Sequence, residues 1–227
     1  HSTKHLEYDA PLTADIEALA WPVSNWVHTS LDSKSVASDG AAAIAASMGP
    51  PGGIATLILP ANTAWGEADG PAEKLPTIIP DTVPEDRITE IANLIRQNKK
   101  TVLLIGDRVM GDEKLATKVS KIANAHGVRM MSSWYGAKVR RGACMPMYER
   151  LQYSVDKSVE MLAGTEHIIR IGARDPIAFF AYPNKPSRFA PPDCEDHILA
   201  DLHEDIPVAI EGLFEALEAN DAEPTLA

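Results

Sequence analysis

The sequence predicts an α/β protein: a Rossmann-like domain with a mostly parallel sheet, preceded by a partial α/β domain of different grain. Three observations predict it. Short apolar runs end at glycine or proline, segments with one apolar helical face fall between them, and a stretch dense in proline separates two regions. Apolar runs that do not alternate belong to strands buried on both faces, and a parallel sheet covered by helices is built from such strands.

Before the proline-rich stretch, Thr13 to Ala20 and Val36 to Met48 read as helices, with Trp26-Val27 a short strand between them. Ala55 to Leu59 follows Pro50-Pro51-Gly52-Gly53, is closed by Pro60, and reads as a buried strand. Prolines 71, 76, 80 and 84 then block helix and central strand alike, so this segment is an extended connector. The expected organisation is a first domain over 1–70, a linker over 71–83, a Rossmann-like domain over 84–220, and a tail over 221–227.

Pro84-Glu85-Asp86 opens a helix with proline in the first turn and acids at the positive end of the dipole. Ile88, Ile91, Ala92 and Ile95 form its apolar face, and Lys99 and Lys100 close it. Thr101 to Ile105, ended by Gly106, is the next strand. A helix from about Asp112 carries Leu115, Val119, Ile122 and Ala123 on one face and stops at Gly127. Val128 to Met131 is a weaker strand, and Val155, Val159 and Leu162 mark a helix before Gly164. His167 to Ile171, ended by Gly172, and Ile198 to Leu202 are further strands, and Ile206, Ile210, Leu213 and Leu217 mark a C-terminal helix.

The 227 residues hold 21 Lys+Arg against 32 Asp+Glu, a formal net charge of −11, with 45% hydrophobic and 23% charged residues. This composition excludes a disordered, collagenous or disulfide-stapled chain. The acidic balance argues against a nucleic-acid partner. No apolar run reaches the ~18–20 residues of a membrane span and no signal-peptide pattern opens the chain, so no membrane association and a cytoplasmic location are expected. Two isolated cysteines, Cys144 and Cys194, suit a reducing compartment. The chain starts at His1 in a polar stretch, as a piece of something longer would.

Two loops are candidates for a cofactor. Gly106-Asp107-Arg108-Val109-Met110-Gly111 joins a strand to a helix, where phosphate-binding loops sit, but it matches neither a P-loop nor G-x-G-x-x-G. Asp107, Asp112 and Glu113 place negative charge where a pyrophosphate would lie, so a structural turn competes with a nucleotide contact. Gly172-Ala173-Arg174-Asp175-Pro176 combines small residues at a strand's carboxyl end with a guanidinium, although Asp175 is placed to neutralise Arg174. His1 and His5 have the spacing of two metal ligands on one helix face but no third ligand, and His197 and His203 share one face of an extended strand. No metal site is expected. Neither cysteine matches a nucleophile pattern, and no G-x-S-x-G, H-E-x-x-H or C-x-x-C occurs.

Asp9 to Ile16, Pro22 to Val27, Ile54 to Trp65 and Gly172 to Pro183 together resemble the large subunit of acetolactate synthase and its relatives among the thiamine-diphosphate-dependent 2-keto-acid enzymes. The resemblance spans roughly residues 1 to 215. It implies that the first region is the last third of the family's pyrimidine-binding domain, and that the chain from Pro84 is the central domain. In the family, the thiazolium carbanion attacks a 2-keto acid and carbon dioxide leaves, because the ring accepts the electrons. The transferase and lyase members need thiamine diphosphate and Mg2+. Their catalytic glutamate lies upstream of the matched region and their Gly-Asp-Gly…Asn motif lies downstream, so neither role falls on a residue of this chain.

The resemblance further implies a homo-oligomer, dimer or tetramer, and a central domain that holds FAD in some members. Gly106, Asp107, Gly172, Ala173 and Arg174 are the residues expected to contact a nucleotide. His1 and His5 match a segment that approaches the active site in relatives. The piece by itself is expected to be inactive. Two other readings stay open: a free-standing flavin- or nicotinamide-binding module, and a non-catalytic regulatory relative.

Overall fold

A computed structural model describes residues 1–97 and 100–227, and the chain divides into two units, His1–Pro80 and Asp81–Ala227. Lys99, expected to close a helix, lies outside the described residues.

In the first unit, Asp15 caps helix α1 (Ile16–Ala20), its carboxylate accepting the Ala18 amide at 2.9 Å. This helix is shorter than the Thr13–Ala20 segment the sequence suggests. The Thr13 amide binds the Ala10 carbonyl and the Ile16 amide binds that of Ala14, so tight turns occupy the first positions. A 3-10 turn over Trp21–Val23, carrying Pro22, follows. Strands β1 (Trp26–Thr29) and β2 (Ala55–Ile58) pair in parallel, Trp26 opposite Ala55, with helix α2 (Val36–Met48) between them in sequence. Parallel strands need such a crossover because a tight turn cannot reverse direction twice. The Ser30 hydroxyl, fully buried, donates to Asp39 on α2 at 2.7 Å, and His28 Nε2 stands 3.3 Å from the other carboxylate oxygen. The hydroxyl bond is the largest of the influences on Asp39, whose carboxyl is held below its usual range. No residue of α2 is buried.

The second unit contains α3 (Glu85–Gln97), β3 (Thr101–Ile105), α4 (Asp107–Met110), α5 (Glu113–His126), β4 (Arg129–Ser132), β5 (Glu149–Arg150), α6 (Val155–Met161), β6 (His167–Ile171), β7 (Glu195–Ala200) and α7 (Ile206–Ala216). The strands form one sheet in the order β5-β4-β3-β6-β7, every neighbouring pair parallel. Every residue of β3 is buried, and strand alternation sorts them onto two cores. Leu103 and Ile105 join Ile169 and Ile171 under α3, α5 and α7; Val102 and Leu104 join Ile168 in a second cluster with Val155, Leu162 and Phe189. The apolar runs were therefore legible because both faces need them. Asp112 caps α5 through the Lys114 and Leu115 amides, Gly127 ends it at φ 63°, and Asp205 caps α7 through the Val208 amide.

Two expectations are corrected. The last strand begins at Glu195, three residues before the apolar run, because Glu195 to Ile198 pair along β6 as backbone irrespective of side-chain polarity. It ends at Ala200, where the Asp201 amide turns to the Glu204 carboxylate at 2.7 Å. His203 therefore lies in a turn 3.8 Å from Asp81, off the strand that carries His197, and the two do not share a strand face. The short elements α4 and β5, and a 3-10 helix over Thr3–Tyr8, have no apolar period to announce them. Among the described residues, no helix is long and apolar enough to cross a membrane.

Candidate functional site

From β3 the chain steps outward through β4 to β5, then returns past β3 to lay down β6 and β7. The reversal falls between β3 and β6. In open α/β sheets, ligands bind outside the carboxyl ends of the strands at this switch point. Gly106 and Gly172 are the residues immediately after those two strands, so the sequence-selected glycines meet at the place the topology favours.

Their contact is backbone on backbone. The Gly106 amide donates to the Ile171 carbonyl at 3.0 Å, and a Cβ on Gly106 would stand 1.6 Å from the Gly172 carbonyl oxygen. Gly172 itself sits at φ 60° and its amide donates to Ala200 at 2.8 Å. The Gly106 carbonyl accepts from Val109 and Met110, starting α4 directly. Asp107 opens this short helix, and its Oδ2 accepts the Ala137 amide at 3.1 Å, which ties down the loop after β4.

On the β6 side, Ala173 is buried. Arg170 is clasped by Asp196 through Nε at 2.9 and 3.1 Å and Nη2 at 2.6 Å, and these bonds hold its guanidinium above the usual range. Arg188 Nε takes both oxygens of Asp175, at 2.9 and 3.1 Å. Asp175 is thus engaged elsewhere than at Arg174, which is exposed and forms no ion pair among the described residues. A guanidinium in this position suits a bidentate anion such as phosphate or carboxylate.

An aromatic cluster that sequence reasoning missed lies on loops after the same strand ends. Trp134 follows β4, Tyr153 follows β5, and Phe179 follows β6. The Trp134 ring makes edge contacts with Tyr135, Tyr153 and Phe179 at centroid distances of 4.6, 5.4 and 5.6 Å. Phe180 continues the series from Phe179 at 4.6 Å. Phe179 is 61% exposed and Phe180 54%. Arg150 Nε fixes the Trp134 carbonyl at 2.9 Å. These rings are scattered along the sequence with no shared period, and only the sheet gathers them. Exposed, mutually braced rings can stack against a planar ligand.

In the first unit, His1 Nε2 lies 2.9 Å from the Pro11 carbonyl oxygen, and the His1 and His5 rings are 5.2 Å apart. Both are exposed, and His5 sits in a 3-10 turn rather than an α-helix. A groove of about 440 Å³ runs between one face of α2 (Ala37, Ala41, Ile44, Met48) and the extended segment around Leu75 and Pro76. The two thiols are free; Cys144 is exposed, while burial pushes the Cys194 thiol up and leaves it a poor nucleophile at neutral pH.

No protein-family model matches the chain. It is 38% identical over 201 residues, 88% of its length, to a Mycobacterium tuberculosis protein provisionally named acetolactate synthase large subunit IlvX, of which it spans 38%. Solved structures similar in fold are a Mycobacterium smegmatis enzyme provisionally described as thiamin-diphosphate-dependent (19% identity, TM-score 0.73) and benzoylformate decarboxylase from Polynucleobacter necessarius (18%, TM-score 0.72). The thiamine-diphosphate-dependent 4-hydroxybenzoylformate decarboxylase of Rhodococcus jostii follows at 15% and 0.70. Each match covers 99% of this chain and 46%, 45% and 44% of the respective structure, so the chain spans less than half of every one of these relatives.

Proposed function

The chain belongs to the thiamine-diphosphate-dependent 2-keto-acid enzyme family, and from that premise we propose that it forms part of a decarboxylase or carboligase of acetolactate-synthase type acting on a pyruvate-like acid. The observation that carries this is the 38% identity over 88% of the chain, too long a match to rest on one unit alone. In this reading the protein is a cytoplasmic homo-oligomer, dimer or tetramer, that uses thiamine diphosphate with Mg2+. His1 and His5 stand as neighbours of its active site.

The described residues do not themselves fit that cofactor. Its diphosphate is held through Mg2+, which takes oxygen ligands in near-octahedral array. Among the described residues, the one cluster of three potential metal-binding side chains is His167, Glu195 and His197, with two imidazoles to one carboxylate. No step through thiamine diphosphate is therefore assigned to this chain. Its contribution is the framework: two α/β units, the second with a sheet buried on both faces. The test has two arms. The protein that contains this chain should release carbon dioxide from pyruvate only with thiamine diphosphate and Mg2+ added, and the 227-residue chain should show no saturable thiamine diphosphate binding by calorimetry. Binding by the chain, or absence of cofactor-dependent release, refutes the reading.

A second reading rests on Arg174, unpaired among the described residues, and on the exposed rings. Here the switch point of the second unit holds FAD or a related dinucleotide, with Arg174 opposite phosphate and Gly106, Asp107, Gly172 and Ala173 along the backbone approach. A flavin, when bound, supplies an isoalloxazine able to take electrons. Titration of the chain with FAD, followed by flavin fluorescence quenching, should saturate in the wild type and weaken in Arg174→Ala. Equal titrations exclude it.

A further inference from the structure

The amino-terminal end of the second unit's sheet, opposite the edge where the glycines meet, holds a group of side chains that the reading above does not use. Strand alternation puts His167, Ile169 and Ile171 on one face of β6, and Glu195, His197 and Leu199 on the same face of β7. The register sets His167 beside Glu195 and Ile169 beside His197. The isoleucines and Leu199 enter the core, whereas the histidines and the glutamate lie beyond it, at 14%, 25% and 68% side-chain exposure. His167 Nδ1 and His197 Nε2 are 3.1 Å apart, and Glu195 Oε2 stands 3.7 Å from each.

We propose that His167, Glu195 and His197 form a zinc-binding site that clips β6 to β7. The three donor atoms form a triangle of sides 3.1, 3.7 and 3.7 Å, whose circumscribed circle has a radius of about 2.0 Å, matching Zn–N and Zn–O bonds of ~2.0–2.2 Å. An ion about 0.5 Å off that plane lies about 2.1 Å from all three atoms, with no rearrangement of the strands. Three protein ligands leave the fourth tetrahedral position to water, and the exposed Glu195 side keeps it open. Two imidazoles and one carboxylate select a borderline ion such as Zn2+ over Mg2+ or Ca2+. Without metal, one ring nitrogen donates to the other; on loading, the donor ring moves its proton to its other nitrogen, so both offer lone pairs. No electron is transferred. The site holds two adjacent strands where hydrophobic cover ends.

The experiment uses the whole chain, untagged and stripped of metal by a chelator. Zn2+ titrated by calorimetry against a competing chelator should fill one equivalent and raise the melting temperature, and Co2+ should give the visible bands of a tetrahedral site. His167→Ala and His197→Ala should each weaken binding by about 100-fold or more and abolish the cobalt bands; Glu195→Gln should weaken it less. Each variant is melted metal-free beside the metal-free wild type, and the zinc-dependent rise in melting temperature, present in the wild type and lost in the variants, separates lost binding from lost folding. The exposed His1–His5 pair is the competing explanation, and His1→Ala/His5→Ala should leave the equivalent intact. Loss of zinc in that double variant with retention in His197→Ala, or no equivalent taken up by the wild type, overturns the proposal. It stands or falls independently of the family's chemistry.

Discussion

A Cβ built on Gly106 would lie 1.6 Å from the carbonyl oxygen of Gly172, closer than any two non-bonded heavy atoms can approach. The ends of β3 and β6 therefore touch through their backbones, and this contact sets the floor of the switch-point crevice. Gly106 is extended, so its backbone angles suit any residue and only the space is closed to a side chain. Gly172 is the reverse: its Cβ would meet the Ile206 methyl at 2.4 Å, a movable atom, but its φ of 60° penalises a side chain.

Gly106→Ala should therefore cost more than Gly172→Ala. The first must separate two strands and is expected to lose at least about 3 kcal/mol or to prevent folding of the second unit; the second should lose about 1–2 kcal/mol. Gly40, inside α2 with nothing within 4 Å of its Cβ position, gives the opposite sign, with Gly40→Ala gaining up to about 1 kcal/mol of helix stability. Urea midpoints of the three variants check the ranking. A Gly106→Ala protein as stable as wild type would mean that the strand ends are not in contact.

Acid should weaken the turn after β7. The Glu204 side chain is largely buried, and burial, the largest influence on it, would raise its pKa. The Asp201 amide at 2.7 Å and Arg87 Nη1 at 2.7 and 2.8 Å more than offset this and hold it below the usual range. A depressed folded-state value means the stabilisation is complete above the unfolded carboxylate range, near pH 4.3, and disappears as pH falls through the folded value. Glu204→Gln should lower stability by about 2 kcal/mol at pH 7. The gap to wild type should narrow steadily below about pH 4. Melting temperatures across that range test it, and a gap independent of pH contradicts the ion pair's role.

Arg174 and Arg188 sit fourteen residues apart on one loop system yet should behave differently. Arg188 is committed to Asp175, while Arg174 is exposed and unpaired among the described residues. Arg174→Ala is expected to change stability by no more than about 0.5 kcal/mol, and Arg188→Ala to cost about 1 kcal/mol. If anionic ligands bind at the switch point, only the Arg174 variant should lose affinity at unchanged melting temperature. The two variants compared by thermal melting and phosphate-ligand titration decide this.

What the sequence disclosed follows from how each signal arises. Thr101 to Ile105 could be read because burial on two faces demands five consecutive core residues, and Asp112 and Gly127 because helix ends need a side-chain acceptor and a left-handed residue. β5 could not: Glu149 and Arg150 are strand only through their backbone pairing with Met131 and Ser132. The glycine pair was visible as punctuation, but its reason, a backbone contact between strands more than sixty residues apart, is tertiary. Asp175 beside Arg174 suggested a neutral pair, and the fold gave that carboxylate to Arg188 instead. The ring cluster around Trp134 and the His167–His197 pair depend on strand register, which no local pattern encodes.

Hydrogen exchange should separate the two units. In the second, β3 and β6 lie between two apolar clusters, so their amides open only with the whole unit. In the first, the sheet has two strands, none of their residues is buried, and α2 has no buried residue either, while Trp21, Ile44 and Met48 are 54%, 66% and 70% exposed. A two-stranded sheet with one half-buried helix is at the margin of independent stability. The buried Ser30 hydroxyl ties the end of β1 to α2 through Asp39, and removing the acceptor with Asp39→Ala should loosen β1 and α2 together. Exchange measured by mass spectrometry should show amides of residues 26–58 labelled at least about 100-fold faster than those of 101–105 and 167–171, corresponding to a stability difference of about 2.7 kcal/mol or more. Apolar surface left open in this way also favours association between chains, so the labelling of residues 26–58 should slow as protein concentration rises. Protection of α2 equal to that of β3 at low concentration would mean that the first unit is held by interactions other than those within it.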